Sequence, residues 1–288
     1  MIKTSTILHL RIPFSVFLLP FFLFALANAK HPSVVDTILA GMIIHLLFYP
    51  ATNGFNSYFD KDEKSIGGLK NPPPVDKELY FTSLFLDMIA LVLSLLISIE
   101  FTVLLLVIGI ASKLYSHPSV RLKKYPLTGL ATVAFFQGAY TYIMSYIAID
   151  HLSIQEVLQP AIIFPATLCS LILLGSYPMT QVYQHWEDNK RGDRTMSILL
   201  GVKGTFVWTL AVFSISIAGF YFYLIQFHSL YSFITLMACL LPVVIFFLYW
   251  FYKVVQNVEH ADYERTMLLN KLSSLGFIIF FSLLIFQK

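Results

Sequence analysis

The chain has 288 residues, of which 57% are hydrophobic and only 12% are charged, and its formal net charge is +3. A soluble domain of this length needs more polar side chains to cover its surface, so the composition excludes an ordinary soluble protein. The small net charge gives no reason to expect nucleic-acid binding. Because lipid offers no partner for an unpaired backbone group, the long apolar blocks predict membrane-spanning helices.

The chain starts with a basic and then apolar segment that has features of a signal peptide. Lys3 and Arg11 precede or open an apolar run over 12–29 that ends in small residues. The run has about 18 residues, whereas the apolar region of a signal peptide usually has about 7–15. We therefore interpret it as a retained first helix. Cleavage after Ala29 would leave the downstream topology unchanged.

Apolar segments of spanning length predict an all-α, polytopic bundle of about nine transmembrane helices. The predicted ranges are 12–29, 34–58, 79–99, 101–116, 127–149, 155–176, 205–226, 231–253 and 267–286. The longer polar connections are 59–78, 117–126, 179–204 and 254–266. These loops, the helix ends beside them and the N-terminal segment hold every basic residue except Lys30 and Lys288. The positive-inside rule therefore places the N-terminus and these loops on the cytoplasmic side. If the source is bacterial, the expected membrane is the inner or plasma membrane.

Two groups of acidic residues follow the second and the sixth predicted helix. They are Asp60, Asp62 and Glu63 in the first group and Glu187, Asp188 and Asp193 in the second. Four helices lie between the groups, so both occupy equivalent points of two halves, as polar sites of membrane proteins often do. We therefore predict one domain over 1–288, with pseudo-equivalent halves at about 12–126 and 127–253 and a last helix.

The first group follows a helix that gathers oxygen ligands on one face. If the second helix continues to Asp60, then Asn53, Asn56 and Asp60 share that face. Oxygen ligands at the mouth of an apolar bundle suit a hard divalent cation such as Mg²⁺. This ion takes one or two carboxylates and completes its shell with water and substrate phosphate.

The second group repeats the pattern and adds bases. Gln184 and Asp188 are one helical turn apart, and Lys190, Arg191 and Arg194 follow closely. Carboxylates for a metal and basic groups for phosphate are what a diphosphate ligand needs. The alternative interpretation is that these charges are solvated helix ends that only set the topology.

Taken together, these residues resemble motifs of the UbiA-type intramembrane prenyltransferases. That family has Asn-Asp-x-x-Asp-x-x-x-Asp after its second helix and Asp-x-x-x-Asp-x-x-x-Gly after its sixth. Asn56 and Asp60 match the first motif here, and Asp188 and Gly192 match the second. The segment 115–123 and the sequence Arg11-Ile12-Pro13-Phe14 are also similar to the family, and the resemblance extends over essentially the whole chain.

The resemblance implies transfer of a prenyl group from an allylic prenyl diphosphate to an unidentified hydrophobic acceptor, aromatic or lipid-like, with Mg²⁺ assisting departure of the diphosphate. It implies that Asp60 and Asp188 are catalytic and that Asn56, Asp60 and Asp188 bind the metal. Further metal-ligand candidates are Asn53, Asp62, Glu63, Gln184 and Glu187. The candidates for diphosphate binding are Lys61, Arg121, Lys123 and Lys190. Rings that could stabilise an allylic cation are Phe55, Tyr58, Phe135, Phe136, Tyr140, Tyr142 and Tyr177.

Three positions depart from the family motifs. Ser57, Lys64 and Gln184 stand where the family has aspartates. They keep open two alternatives within the same fold, a diverged cyclase and a non-catalytic isoprenoid-binding membrane protein. A transporter is a weaker alternative, because the seventh and ninth helices carry almost no polar residues. The expected environment is the lipid bilayer, and the sequence points to no protein partner.

Overall fold

The computed structural model describes residues 2–153 and 155–287, and these residues fold into a bundle of long helices. In chain order the helices are α1 (Thr4–Asn28), α2 (Val34–Asp60), α3 (Lys77–Ser94), α4 (Ile99–Ser116), α5 (126–150), α6 (Pro160–Gln181), α7 (His185–Arg191), α8 (Met196–Phe227), α9 (Leu230–Gln256) and α10 (Tyr263–Phe286). Each predicted membrane helix has a counterpart among them, and α7 is an additional short helix in the loop after α6. The predicted all-α membrane bundle is therefore confirmed.

Within the described residues, seven helices are long and apolar enough to cross a membrane. The exceptions are the short α7 and two longer helices, α3 and α5. Lys77, Glu78 and Asp87 lower the hydropathy of α3, and α5 is rich in threonine, serine and tyrosine. The predicted number of nine is thus approximate for physical reasons, since two of the nine helices are more polar than the others.

Several predicted boundaries are wrong, because two helices extend beyond their apolar runs at the N-terminal end and a third begins later, at a proline. The first helix begins at Thr4 rather than at 12, and it is interrupted at Arg11, whose φ is +47°. The sixth begins at Pro160 rather than at 155. The helix predicted over 205–226 begins at Met196 and is kinked at Gly201, whose φ of +67° favours glycine.

A widened turn lets α2 run through a proline as far as the acidic residues. Pro50 has no N–H to donate, and its ring crowds the carbonyl of Leu46 four residues earlier. The helix widens to π-type hydrogen bonding over Ile43–Phe48, directly before this position. The carbonyl of His45 accepts a hydrogen bond from Ser15 Oγ of α1 at 2.8 Å. The helix therefore continues to Asp60 with its backbone groups paired.

A second widened turn joins α5 to α6. The π-type segment Ala134–Tyr140 leaves backbone groups without a partner inside the helix, and the hydroxyl of Ser170 in α6 bonds to two of them. Its Oγ donates to the carbonyl of Ala134 at 2.8 Å and accepts from the N–H of Ala139 at 3.1 Å. Gly138 permits this close approach, because a Cβ there would lie 2.7 Å from the Cα of Ser170. Membrane helices commonly pack through small residues and hydroxyl groups in this way.

The first helix is part of the core. Phe24 of α1 is fully buried and stacks on Phe281 of α10, with ring centroids 4.3 Å apart. It also packs edge-on against Tyr142 of α5 at 5.4 Å. Asn28, the last residue of α1, donates to the hydroxyl of the same tyrosine at 3.0 Å. The packing of α1 against α5 and α10 agrees with its interpretation as a bundle helix.

The loop over 61–76 folds back across the end of the bundle where α2 ends, which we call the charged end. Ile66 and Leu69 exchange two backbone hydrogen bonds of 2.9 Å. Gly67 lies against the ring of Phe14, where a Cβ would come within 2.6 Å of a ring carbon. His9 Nε2 lies 2.7 Å from the carbonyl oxygen of Pro73. These contacts fix the loop over the first turns of α1.

The close contact between α5 and α6 predicts different outcomes for two helical glycines. Gly138→Ala should destabilise the protein by about 1–3 kcal/mol, because its methyl group would overlap the α6 backbone. Gly109→Ala is the matched control, since its Cβ would meet only a ring carbon of Phe48 at 3.7 Å. Thermal unfolding in detergent measures both variants. Equal midpoints for the two would contradict the packing described here.

Candidate functional site

A cavity of about 310 Å³ lies inside the charged end of the bundle. Residues of α1, α2, α4, α5, α6, α7, α8 and α10 form its walls, and Ile66 and Gly67 of the loop contribute to its cover. Charged side chains line the end of the cavity nearest the loops. Apolar side chains, among them Phe48, Ile108 and Ile172, line the part within the bundle. The cavity therefore combines an ionic mouth with an apolar interior.

The three residues predicted to bind a metal all line this cavity. Asn56 and Asp60 lie in the last two turns of α2, and Asp188 lies in α7. Lys123 Nζ is 2.9 Å from Asn56 Oδ1 and donates to both carboxylate oxygens of Asp60. The oxygens of the first acidic group thus already share one positive charge, which an ammonium group supplies.

Arg121 joins the two acidic groups. Its guanidinium donates to Asp193 through Nε and NH2, both at 2.7 Å, and NH2 also lies 3.2 Å from Asp60 Oδ1. The hydrogen bonds to Asp193 raise the pKa of Arg121, so the residue stays charged. Arg121 stands behind these carboxylates and is not among the cavity-lining residues of the described chain.

Arg191 makes the second connection, and its side chain lines the cavity. It donates to Asp62 through NH1, to Asp188 through NH2 at 2.8 Å and to Asp193 through Nε at 3.3 Å. Burial disfavours its charge, but the surrounding carboxylates outweigh burial and raise its pKa. Through Arg121 and Arg191, the end of α2 and the segment around α7 meet at one site, which is the juxtaposition that the paired acidic groups suggested.

The carboxylates of the site are crowded and buried. Burial raises the pKa of Asp188 to about 7, against the attraction of Arg191 and Lys123. Burial and the neighbouring charge of Asp60 raise the pKa of Asp62. In both cases desolvation of the charged form outweighs the ion pairs. The site therefore gains from any positive charge brought to these oxygens.

The remaining predicted residues divide into two sets. Asn53, Asp62 and Gln184 line the cavity. Lys61, Glu63 and Lys190 are exposed on its rim, where Lys190 Nζ lies 2.8 Å from Glu63 Oε1. Lys61 ends α2 with a φ of +51°. A rim position follows from the helix phase, because α2 turns the side chain after Asp60 away from the bundle.

Glu187 is buried and has a structural contact. Its Oε1 accepts the backbone N–H of Lys64 at 2.8 Å and that of Glu63 at 3.2 Å. This carboxylate therefore ties the loop after α2 to α7. A sequence pattern does not show this contact, because the partner atoms belong to the backbone.

The rings at the cavity are partly those predicted. Phe136 and Tyr177 line it, whereas Phe135 is exposed. Tyr115 of α4 was not selected from the sequence, yet it lines the cavity and its hydroxyl is hydrogen-bonded to that of Tyr177. The signal was available, since Tyr115 opens the segment over 115–123 that resembles the family.

Arg11 is a second cavity residue without a predicted role. Its guanidinium donates to two backbone carbonyls, that of Gly67 at 3.0 Å and that of Asn53 at 3.3 Å. The break in α1 at this residue turns its side chain toward the cavity. Arg11 thereby joins the loop over 61–76 to α2.

The profile of the UbiA prenyltransferase family matches residues 16–275. The chain belongs to this family. No curated protein matches the chain. The expected resemblance to the UbiA family is thus confirmed over most of the sequence, together with the membrane-helix bundle typical of it.

Solved structures of UbiA homologues share the fold. A UbiA homologue from Archaeoglobus fulgidus bound to GPP and Mg²⁺ has a TM-score of 0.68 and 16% identity, over 98% of this chain and 99% of that chain. The apo UbiA homologue from Aeropyrum pernix K1 has a TM-score of 0.70 and 18% identity, over 93% and 98% of the two chains. A digeranylgeranylglyceryl phosphate synthase has a TM-score of 0.62 and 16% identity, over 98% of both chains.

The Glu187 contact predicts that this residue supports the loop after α2. Glu187→Ala should cost about 1–3 kcal/mol, because two backbone N–H groups lose their acceptor. Glu187→Gln keeps an acceptor oxygen and should retain most of the stability. Thermal unfolding and the rate of proteolysis within 61–76 measure the effect. Glu63→Ala is the control, because it removes only an ion pair on the rim. If Glu63→Ala lost as much stability as Glu187→Ala, this assignment of Glu187 would be contradicted.

Proposed function

We propose that the protein binds an allylic prenyl diphosphate in this cavity and transfers the prenyl group to a hydrophobic acceptor. The observation that carries the proposal is one cavity in which Asn56, Asp60 and Asp188 lie beside Lys123 and Arg191 above an apolar chamber. The diphosphate would occupy the ionic mouth and the tail the apolar interior. Support comes from the UbiA homologue of Archaeoglobus fulgidus, which has been solved with GPP and Mg²⁺ and also with DMAPP and Mg²⁺.

The donor chemistry of the cavity fits a bound Mg²⁺. In the described residues, no group of three or more His, Cys, Asp and Glu side chains could hold a metal by itself. Mg²⁺ does not need such a group, because it is commonly held by one or two carboxylates with water and substrate phosphate. Asn56, Asp60 and Asp188 would hold it here. When bound, the ion would neutralise charge on the departing diphosphate.

Lys123 has the freedom that this role requires. It is the cation nearest the Asn56 and Asp60 oxygens, and its ammonium group ends a flexible four-carbon stem. An arriving divalent ion would replace it at Asp60, and the ammonium group could then donate to a phosphate oxygen. The buried side chains around it exclude water, which strengthens each of these contacts.

The reaction breaks the bond between C1 of the prenyl chain and the diphosphate oxygen, and the electron pair leaves with the diphosphate. A new bond then forms between C1 and the acceptor, which loses one proton to the released diphosphate. The allylic cation that develops at C1 would lie near the rings of Phe136, Tyr115 and Tyr177. Burial of the tail contributes about 0.8 kcal/mol for each CH₂ group.

We also propose that the charged end faces the cytoplasm. The longer loops meet there, as shown by the hydrogen bond from Arg194 N to the carbonyl of Lys124 at 3.0 Å and the ion pair of Lys70 with Glu264. These loops and adjoining helix ends hold most of the basic residues. A water-soluble diphosphate would therefore enter from the cytoplasmic side.

The proposal predicts loss of prenyl transfer when the ionic mouth is altered. Asp60→Asn and Lys123→Ala should each lower the Mg²⁺-dependent transfer from a radiolabelled prenyl diphosphate by at least about 100-fold. Purified protein in lipid vesicles, incubated with candidate aromatic and lipid acceptors, provides the measurement. Lys124→Ala, an exposed lysine next to Lys123, is the matched control and should keep the wild-type rate.

Two results would argue against prenyl transfer. Tight binding of the labelled diphosphate with no transfer to any acceptor would favour a non-catalytic isoprenoid-binding protein. Release of diphosphate together with a cyclised hydrocarbon would favour the cyclase. Equal transfer by wild type and Asp60→Asn would exclude this cavity as the site.

The apolar interior predicts a separate effect on the tail. Ala111→Phe would fill part of the cavity that Ala111 lines, so affinity for geranyl diphosphate should fall while affinity for inorganic diphosphate is kept. Ile110→Phe is the control, because this neighbouring side chain is 52% exposed on the outer face of α4. Competition binding in detergent measures both. An equal loss of affinity for the two ligands would place the tail elsewhere.

A further inference from the structure

Arg191 lies inside the second acidic group rather than at its edge. Its three nitrogen atoms contact three different carboxylates, those of Asp62, Asp188 and Asp193, and NH1 also lies 3.9 Å from Glu187 Oε2. The side chain is only 17% exposed and belongs to the cavity wall. A permanent positive charge therefore lies among the oxygen ligands of the second group and also reaches Asp62 of the first.

Lys123 and Arg191 both line the cavity beside the acidic groups, but they differ in how firmly they are held. Lys123 is a point charge on a flexible stem, and it contacts oxygens of Asn56 and Asp60. Arg191 is a planar fork, and its displacement would leave Asp62, Asp188 and Asp193 without this buried partner at the same time. Exposing several buried carboxylates to one another is strongly unfavourable. Lys123 can thus yield its position to an ion, whereas Arg191 stays.

We propose, on the basis of the proposed function, that Arg191 takes the place of a second divalent ion, so that the site binds a single ion with the diphosphate. Two groups of carboxylates that face a phosphate substrate from two sides commonly hold a pair of ions about 3.5–4 Å apart. Here Asp60 of the first group can receive an ion once Lys123 moves away from its carboxylate. In the second group the guanidinium uses the oxygens that another ion would need.

The charges of the other cavity residues agree with this assignment. Gln184 lines the cavity next to the second group but adds no negative charge. Asp193 already accepts a hydrogen bond from Arg121, which lies on the side of this carboxylate away from the cavity. Asp188 keeps an oxygen, Oδ2, whose partner is the hydroxyl of Thr195 at 3.3 Å, so it can still contribute to one ion beside Asp60. The positive charge for the diphosphate would come from this ion and from Lys123, because the charge of Arg191 is already balanced by the carboxylates that it contacts.

The number of bound Mn²⁺ ions tests the inference. Purified full-length protein in detergent is saturated with Mn²⁺ and inorganic diphosphate and desalted, and the bound Mn²⁺ per chain is counted. Low-temperature EPR of the same samples detects coupling between two Mn²⁺ ions. Wild type should bind about one Mn²⁺ without coupling, and Arg191→Met should bind about two coupled ions. Arg191→Lys, which keeps the charge, should remain at about one.

Arg194→Met is the matched control, because Arg194 is an exposed arginine three residues away, and its count should equal that of wild type. Two coupled ions in wild type would overturn the inference, and so would a single ion in monodisperse Arg191→Met. If Arg191→Met does not give monodisperse protein, Arg191→Gln replaces it, and the wild-type count still decides.

Prenyl transfer, assayed in parallel with Mg²⁺, separates this inference from the proposed function. Transfer by a wild-type protein that binds two ions would overturn only the inference. One ion without transfer to any acceptor would overturn only the proposed reaction. No bound ion in wild type would overturn the inference and the metal assignment together.

Discussion

The structure depends on how four buried carboxylates are neutralised where two distant parts of the chain meet. Asp60 and Asp62 lie at the end of α2 and just after it, whereas Asp188 and Asp193 belong to the segment around α7. Arg121 and Arg191 each form hydrogen bonds to carboxylates of both parts. Isolated buried carboxylates are costly, so neither segment could take this position alone. The ion pairs therefore set the relative position of the two segments, and the same oxygens and bases form the mouth of the cavity. The features that hold this end of the bundle together are those that suit it to a diphosphate.

Delivering these side chains requires unusual helix geometry. An uninterrupted α-helix could not pass Pro50 without losing a hydrogen bond, and the widened turn before it absorbs this conflict within the membrane. The second widened turn, beside Ser170, brings α5 and α6 together on another side of the cavity. In lipid, such turns persist only where neighbouring groups pair the freed backbone atoms. Ser15 and Ser170 do so from adjacent helices. Two uncharged serine side chains therefore stabilise the helix geometry around the cavity.

The sequence predicted the helices and the gathering of the charged loops at one end of the bundle, because apolar runs and lysine or arginine bias are local properties. It also pointed to Asn56, Asp60, Asp188 and Lys123, which line the cavity, because helix-face spacing and family motifs are visible in one dimension. It selected Lys190 and not Arg191 as a candidate for diphosphate binding, although Lys190 is exposed on the rim and Arg191 lies in the cavity wall. Adjacent positions on a short helix differ by about 100° in direction, and only the packing of α7 decides which one turns inward. The role of Glu187 was hidden for another reason, because its partners are backbone N–H groups that have no sequence signature.

The chain shares its fold with UbiA homologues at only 16–18% identity. Most positions contact lipid or other apolar side chains, where residues of similar volume exchange at small cost, so identity falls while the fold persists. The charged end is different, because each buried charge must be matched by another. Ser57 and Gln184 are neutral at cavity positions where the family motifs have aspartates, and Arg191 adds a buried cation beside them. The two neutral residues and the buried cation all make the cavity less negative. If the site binds a diphosphate as proposed, a smaller number of accompanying ions would keep the charges of the loaded site balanced and would leave the apolar chamber and the bundle around it unaltered.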